Sequence, residues 1–119
     1  MMFSRACLEA EELDGLLRQL GLDDSPEAVL ACGRVYYDQL VSCIENLCLS
    51  PHSISSIERN ARLRDMLDSD RTRRVVASLK MTRKGLGMMF KPIESGRVFS
   101  CVLRSHLADF LNLSMNKTA

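Results

Sequence analysis

Tryptophan is missing from this chain of 119 residues, proline occurs three times and histidine twice. No run of 18 apolar residues exists, so the sequence offers no membrane-spanning helix. The five cysteines (Cys7, Cys32, Cys43, Cys48, Cys101) are odd in number and lack C-x-x-C spacing. That argues against a disulfide framework and for reduced thiols in a cytoplasmic or nuclear protein. The N-terminus turns acidic at Glu9 with no long apolar stretch before it, so it does not read as a secretory signal. Zinc needs four nitrogen or sulfur ligands in paired spacing, and Cys43, Cys48 and His52 fall short of that. Lys84-Gly85-Leu86-Gly87 is glycine-rich but follows a predicted helix, whereas phosphate loops precede one. Asp65, Asp68 and Asp70 cluster among arginines at a helix junction, where capping and surface ion pairs account for them. With no catalytic pair, metal set or nucleotide loop, the chain is expected to be no enzyme and to carry no cofactor.

What is present is helical spacing. Leu13, Leu16, Leu17 and Leu20 form a stripe at i, i+3, i+4, i+7, predicting a helix over about 5–20 that Gly21 caps. Ser25-Pro26 is an N-cap followed by a first-turn proline, opening a helix over about 26–48 that Gly33 weakens in the middle. Ser50-Pro51-His52-Ser53 breaks the chain. Short helical stretches with Ile54, Ile57 and Ala61, then Leu63, Met66 and Leu67, follow. A helix over 71–83 is expected to bury Val75, Val76 and Leu79 and to show its basic residues to water. Met88, Met89 and Phe90 make a small apolar cluster before Pro92. The last helix, from about 95 to 113, carries the strongest amphipathic signal: Val98, Phe99, Val102, Leu103, His106, Leu107, Phe110 and Leu111. The expected architecture is all-α, a compact antiparallel bundle of five to seven short helices. Residues 1–24 form an N-terminal helical extension, 25–113 the bundle domain and 114–119 a frayed tail.

Charge is divided along the chain. Residues 1–60 hold four basic and ten acidic residues, net −6, and residues 61–119 hold twelve basic and five acidic, net +7. Two faces of opposite sign would favour head-to-tail association with copies or relatives. Nucleic acid is a poorer fit to the basic segment, because no aromatic side chain lies near it to stack on bases.

Several short motifs from Leu47 onward point in one direction. Leu47-Cys48-Leu49-Ser50 ends an apolar segment on a helix-capping serine. Ile54 and Ile57 follow. Asp70-Arg71-Thr72-Arg73-Arg74-Val75-Val76-Ala77-Ser78-Leu79 pairs a basic run with paired apolar positions. Lys84-Gly85 precedes Met89-Phe90, and Leu103 to Leu111 closes the pattern. This order resembles the caspase recruitment branch of the death-domain superfamily. The resemblance implies a six-helix Greek key in which Ile54 and Ile57 are buried on the third helix. It also implies an adaptor or inhibitor that pairs with other death-fold domains in apoptotic or inflammatory (innate immune) signalling. It places a basic partner-binding face at Arg71, Arg73, Arg74, Lys80, Arg83 and Lys84, and an acidic one at Asp38 and Glu45 or at Asp65 and Asp68. Reversing Arg73 and Arg74 is then expected to abolish association without changing helicity. Two other readings stay open: a helical scaffold module in transcription that binds short acidic-hydrophobic peptides, and an obligate small subunit of a larger, histone-fold-like complex.

Overall fold

A computed structural model describes residues 2–49, 54–81 and 85–118. Six helices account for most of them: α1 (Met2–Gln19), α2 (Pro26–Leu49), α3 (Ser56–Asp68), α4 (Asp70–Leu79), α5 (Phe90–Ser95) and α6 (Val98–Thr118). No strand occurs among the described residues. The chain is an all-α bundle, and the number of helices lies within the range expected.

The helix ends follow from side-chain chemistry. The α1 terminus is a Schellman turn: Gly21 adopts φ +70°, its N–H donates to the Arg18 carbonyl, and the Leu22 N–H donates to that of Leu17 at 2.8 Å. At the start of α2 the Ala28 N–H donates to Ser25 Oγ at 3.3 Å, and Pro26 fills the first helical position. Ser55 caps α3 by accepting from the Glu58 N–H at 3.1 Å.

Helix α2 is the axis of the molecule. Tyr36, Tyr37, Leu40, Cys43, Ile44 and Cys48 are buried along it, and α1, α3, α4 and α6 all pack against it. Gly33 does not break it. Its bare Cα faces α4, where an added Cβ would lie 3.8 Å from Val75 Cγ1, an ordinary contact. One core cluster joins these residues to Leu63, Met66 and Leu67 of α3, Val76 and Leu79 of α4, and Phe90 and Ile93 of α5. The rings of Tyr37 and Phe90 meet at 6.0 Å between centroids, tilted by 58°.

Several expectations change. Helix α1 belongs to this core, because Ala6 and Ala10 are buried and Phe3 and Cys7 pack against the cluster. The small alanines allow close approach to α2, and the buried line runs through them to the half-buried Leu13 and Leu17. Leu16 and Leu20 of the predicted stripe face water. The two stretches around Ile57 and Met66 are one helix, and Ile57 is 84% exposed, not buried. Helix α4 stops at Leu79. The Met88–Phe90 cluster leads into a six-residue helix, α5, that tolerates Pro92 because proline in a first turn breaks no hydrogen bond. The last helix starts at Val98 and continues as helix to Thr118, through most of the expected frayed tail.

Helix α6 also sits the other way round. Val98, Cys101 and Ser105 are buried, and Val102 packs on the core. Phe99, Leu103, Leu107, Phe110 and Leu111 are exposed. Small Cys101 and Ser105, four residues apart, let α6 lie close to the bundle. The Ser105 hydroxyl satisfies itself on the Cys101 carbonyl at 2.9 Å. Beyond Ser105 every described side chain on α6 is exposed. The Cα radius of gyration, 15.4 Å, accordingly exceeds the roughly 13.5 Å of a rounded domain of this length.

Candidate functional site

The arginines of α4 separate into two kinds. Arg73, expected on a docking face, is bound inside the molecule. Its Nε donates to the Leu67 carbonyl at 2.8 Å, and its two terminal nitrogens donate to the carbonyls of Glu94 at 3.0 Å and Ile93 at 2.6 Å. One guanidinium thus satisfies the ends of both α3 and α5, where helices leave their last carbonyls without partners. Gly96 closes α5 with φ +67°, and Arg64 of α3 donates to its carbonyl at 2.9 Å. Thr72 completes the junction. Its hydroxyl donates to the Met66 carbonyl at 2.7 Å, so the buried Tyr36 hydroxyl, 2.8 Å away, donates to Thr72 Oγ1. Burial pushes the Tyr36 phenol up from its usual pKa.

Arg71 is also engaged, through Asp14 of α1 at 2.9 Å. Arg74 is exposed on α4, and Lys80 is exposed just past its end. Arg83 and Lys84, like His52, lie outside the described residues. The continuous basic face expected on this helix therefore reduces to Arg74 and Lys80 among the described residues, because Thr72, Arg71 and Arg73 hold helix junctions together. The acidic candidates are spread over two helices. Asp38 is exposed and paired with Arg34, one turn earlier on α2, at 3.2 Å. Glu45 is half-buried on the same helix. Asp65 and Asp68 are exposed on α3, and Asp65 borders a groove of about 380 Å³ with Phe3, Leu47, Arg62 and Met66.

The cysteines suit packing better than chemistry. Cys43, Cys48 and Cys101 are buried free thiols, and burial raises the pKa of each, that of Cys101 to about 11. Burial raises that of Cys7 as well. No three His, Cys, Asp or Glu side chains gather as a metal site among the described residues. No described helix is long and apolar enough to cross a membrane.

The surface feature that stands out is on α6. Phe99 is 77% and Phe110 65% exposed, and Leu103, Leu107 and Leu111 lie with them along one side of the helix. At roughly 200 Å² per phenylalanine, the two rings alone leave about 280 Å² of apolar surface in water. With the leucines this reaches the size of apolar patch that marks binding surfaces on monomers. Cations edge it. Arg104 is exposed beside Leu103, and Arg59, Arg64 and Arg97 share an open groove of about 730 Å³ with Phe99 and Val102. The sequence marks these apolar residues as the strongest amphipathic stripe without saying which way it faces, and no pattern in it singles out these four arginines. The available signal was the small pair Cys101 and Ser105 on the opposite side, which marks the close-packing face.

No protein-family model matches this chain, nor does any curated protein or solved structure.

Proposed function

We propose that this chain is a non-catalytic protein–protein interaction module, an adaptor or inhibitor that docks an acidic amphipathic helix of a folded partner on the outward side of α6. The observation that carries this reading is the apolar stripe Phe99–Leu103–Leu107–Phe110 turned to water, with Arg59, Arg64, Arg97 and Arg104 at its edge. The stripe would supply the buried centre of an interface. The arginines would choose an acidic partner and speed its approach more than they would tighten it. The pairing with other death-fold domains in apoptotic or inflammatory signalling, on a Greek-key bundle, is the specific form this reading takes if the resemblance holds. It would then run through the α6 edge and through Arg74 and Lys80, since Arg71 and Arg73 are held within the bundle.

The test is titration of the full chain with a synthetic amphipathic helix bearing leucine on one side and glutamate on its flanks. Binding is expected, weakening with salt and lost in Leu103→Glu/Phe110→Glu. Failure to bind, or equal binding by that variant, overturns the reading. The groove between Arg59, Arg64, Arg97 and Phe99 supports a second reading, a transcription scaffold module holding short acidic-hydrophobic peptides. An extended acidic peptide that binds more tightly than the helical one would favour it.

A further inference from the structure

Helix α1 carries an outward stripe of its own. Leu8 (58% exposed), Leu16 and Leu20 lie along one side, and Leu22 just beyond the helix is exposed as well. Glu12 sits between Leu8 and Leu16, four residues from each, and Glu11 flanks Leu8; both are exposed. Asp23 and Asp24, also exposed, follow at the end. Arg5, three residues before Leu8 on the same side, and Arg18 are exposed as well, so the edges of this surface are mixed with acidic residues in excess, four to two. The surface on α6 is edged by Arg59, Arg64, Arg97 and Arg104, with Asp109 exposed further round the helix. The two lie on different elements with different neighbours. Helix α1 packs chiefly on α2, and α6 packs on α2, α3 and α5. Their lengths also agree, at about 27 Å for 18 residues and about 31 Å for 21.

We infer that the occupant of the α6 surface is the α1 surface of a second copy of this chain, so that the protein associates head to tail. This rests on the docking role proposed for α6 and names its partner. Charge complementarity selects the pairing. Two α6 surfaces would bring Arg97 and Arg104 toward their own copies, and two α1 surfaces would bring Glu11 and Glu12 together, whereas α1 against α6 opposes unlike charges. A heterologous contact leaves one free surface of each kind at the ends, so it propagates into a ring or an open chain of subunits. Helix-on-helix contact of this length falls at the small end of specific interfaces, which suits reversible assembly.

The experiment uses sedimentation velocity on the full chain and two charge-reversed variants. Glu11→Lys/Glu12→Lys alters only the α1 surface, and Arg97→Glu/Arg104→Glu only the α6 surface. All four positions are exposed, and circular dichroism checks that each variant keeps its helices. The natural chain is expected to gain mass steadily with concentration, and each variant alone to remain a monomer. Mixing the two variants is expected to restore assembly, because the natural α6 surface of one meets the natural α1 surface of the other and the two reversed surfaces carry opposite charges as well; a mixture that stays monomeric would count against the pairing. Strengthening of wild-type assembly at low salt and loss in Leu103→Glu/Phe110→Glu should accompany this. A wild-type chain that stays monomeric overturns the inference, as does an α1 variant that still dimerises, which would mean α6 pairs with α6. Either result leaves the peptide titration to decide the docking role separately.

Discussion

Replacing Arg73 with alanine should damage the fold, and replacing Arg74 should not, although the two are adjacent and of like charge. Arg73 makes three hydrogen bonds to carbonyls of Leu67, Ile93 and Glu94. Leu67 and Ile93 are fully buried residues, so water replaces the lost donor poorly. A hydrogen bond from a charged donor is worth about 1.5–3 kcal/mol, and the half-buried position of this guanidinium argues for the lower figure in each case. Allowing for relaxation of the α5 end, Arg73→Ala should cost about 2–4 kcal/mol, a large share of the roughly 5–15 kcal/mol that holds a domain together. That corresponds to a fall in Tm of about 8–16 °C for a chain of this size. Arg74→Ala should stay within about 0.5 kcal/mol of the natural chain. Lysine at position 73 keeps the charge but reaches one carbonyl at a time, and it should recover no more than about a third of the loss. Urea unfolding at neutral pH measures all three. Equal stability of the Arg73 and Arg74 variants would refute the assignment. It follows that a joint reversal of Arg73 and Arg74 is no clean probe of docking, because it loosens the bundle before it alters the surface.

Three further outcomes follow from the same geometry. Burial holds the Tyr37 phenol up at about 12 and the Cys101 thiol up at about 11, against ordinary values of 10.0 and 9.0. The folded state therefore disfavours ionisation. Stability should be unaffected by these groups below about pH 9, then fall as Cys101 loses its contribution up to about pH 11 and Tyr37 up to about pH 12. The loss is roughly 3 kcal/mol for each group; phenolate absorbance should rise only as helicity is lost, and phenolate formed in a fully helical protein would contradict this. Gly96→Ala should cost about 1 kcal/mol by thermal melting, because φ +67° strains any residue with a Cβ, whereas Gly33→Ala, at helical dihedrals with Val75 at contact distance, should be neutral or stabilising. Among the five thiols, half-buried Cys32 should react first with a disulfide reagent and buried Cys43, Cys48 and Cys101 last, which peptide mapping after brief labelling would show.

The helices and most of their boundaries were legible because capping chemistry is local. Gly21, Ser25 and Pro26 act within a few residues of themselves, and their signals survive into the structure intact. Which side of a helix turns inward was less legible, since that depends on neighbours distant in sequence. On α1 the alanines at 6 and 10 outcompeted larger leucines by permitting close approach to α2, and on α6 the pair Cys101 and Ser105 did the same against Phe99 and Leu103. Amphipathic strength thus pointed to the wrong side wherever small residues made the tighter contact. The basic run of α4 misled for another reason. A guanidinium with five donors in a fork serves carbonyls as well as carboxylates, and only the placement of α5 beside Arg73 reveals which. The four arginines around α6 come from separate parts of the chain and from two helices and a turn, so no run in the sequence announced them.

Helix α5 is six residues long, far below the length at which a helix persists alone. Its leading loop is fastened to α2 by Tyr37, which donates to the Leu86 carbonyl at 2.6 Å, and by Arg34, which donates to that of Gly85. Its trailing end is fastened to α3 and α4 by Arg64 and Arg73. A segment moored at both ends to three helices has no private way of opening. Its hydrogen-bonded amides, from Ile93 on, should exchange with deuterium only when the whole molecule lets go, so the shortest helix becomes a gauge of global unfolding.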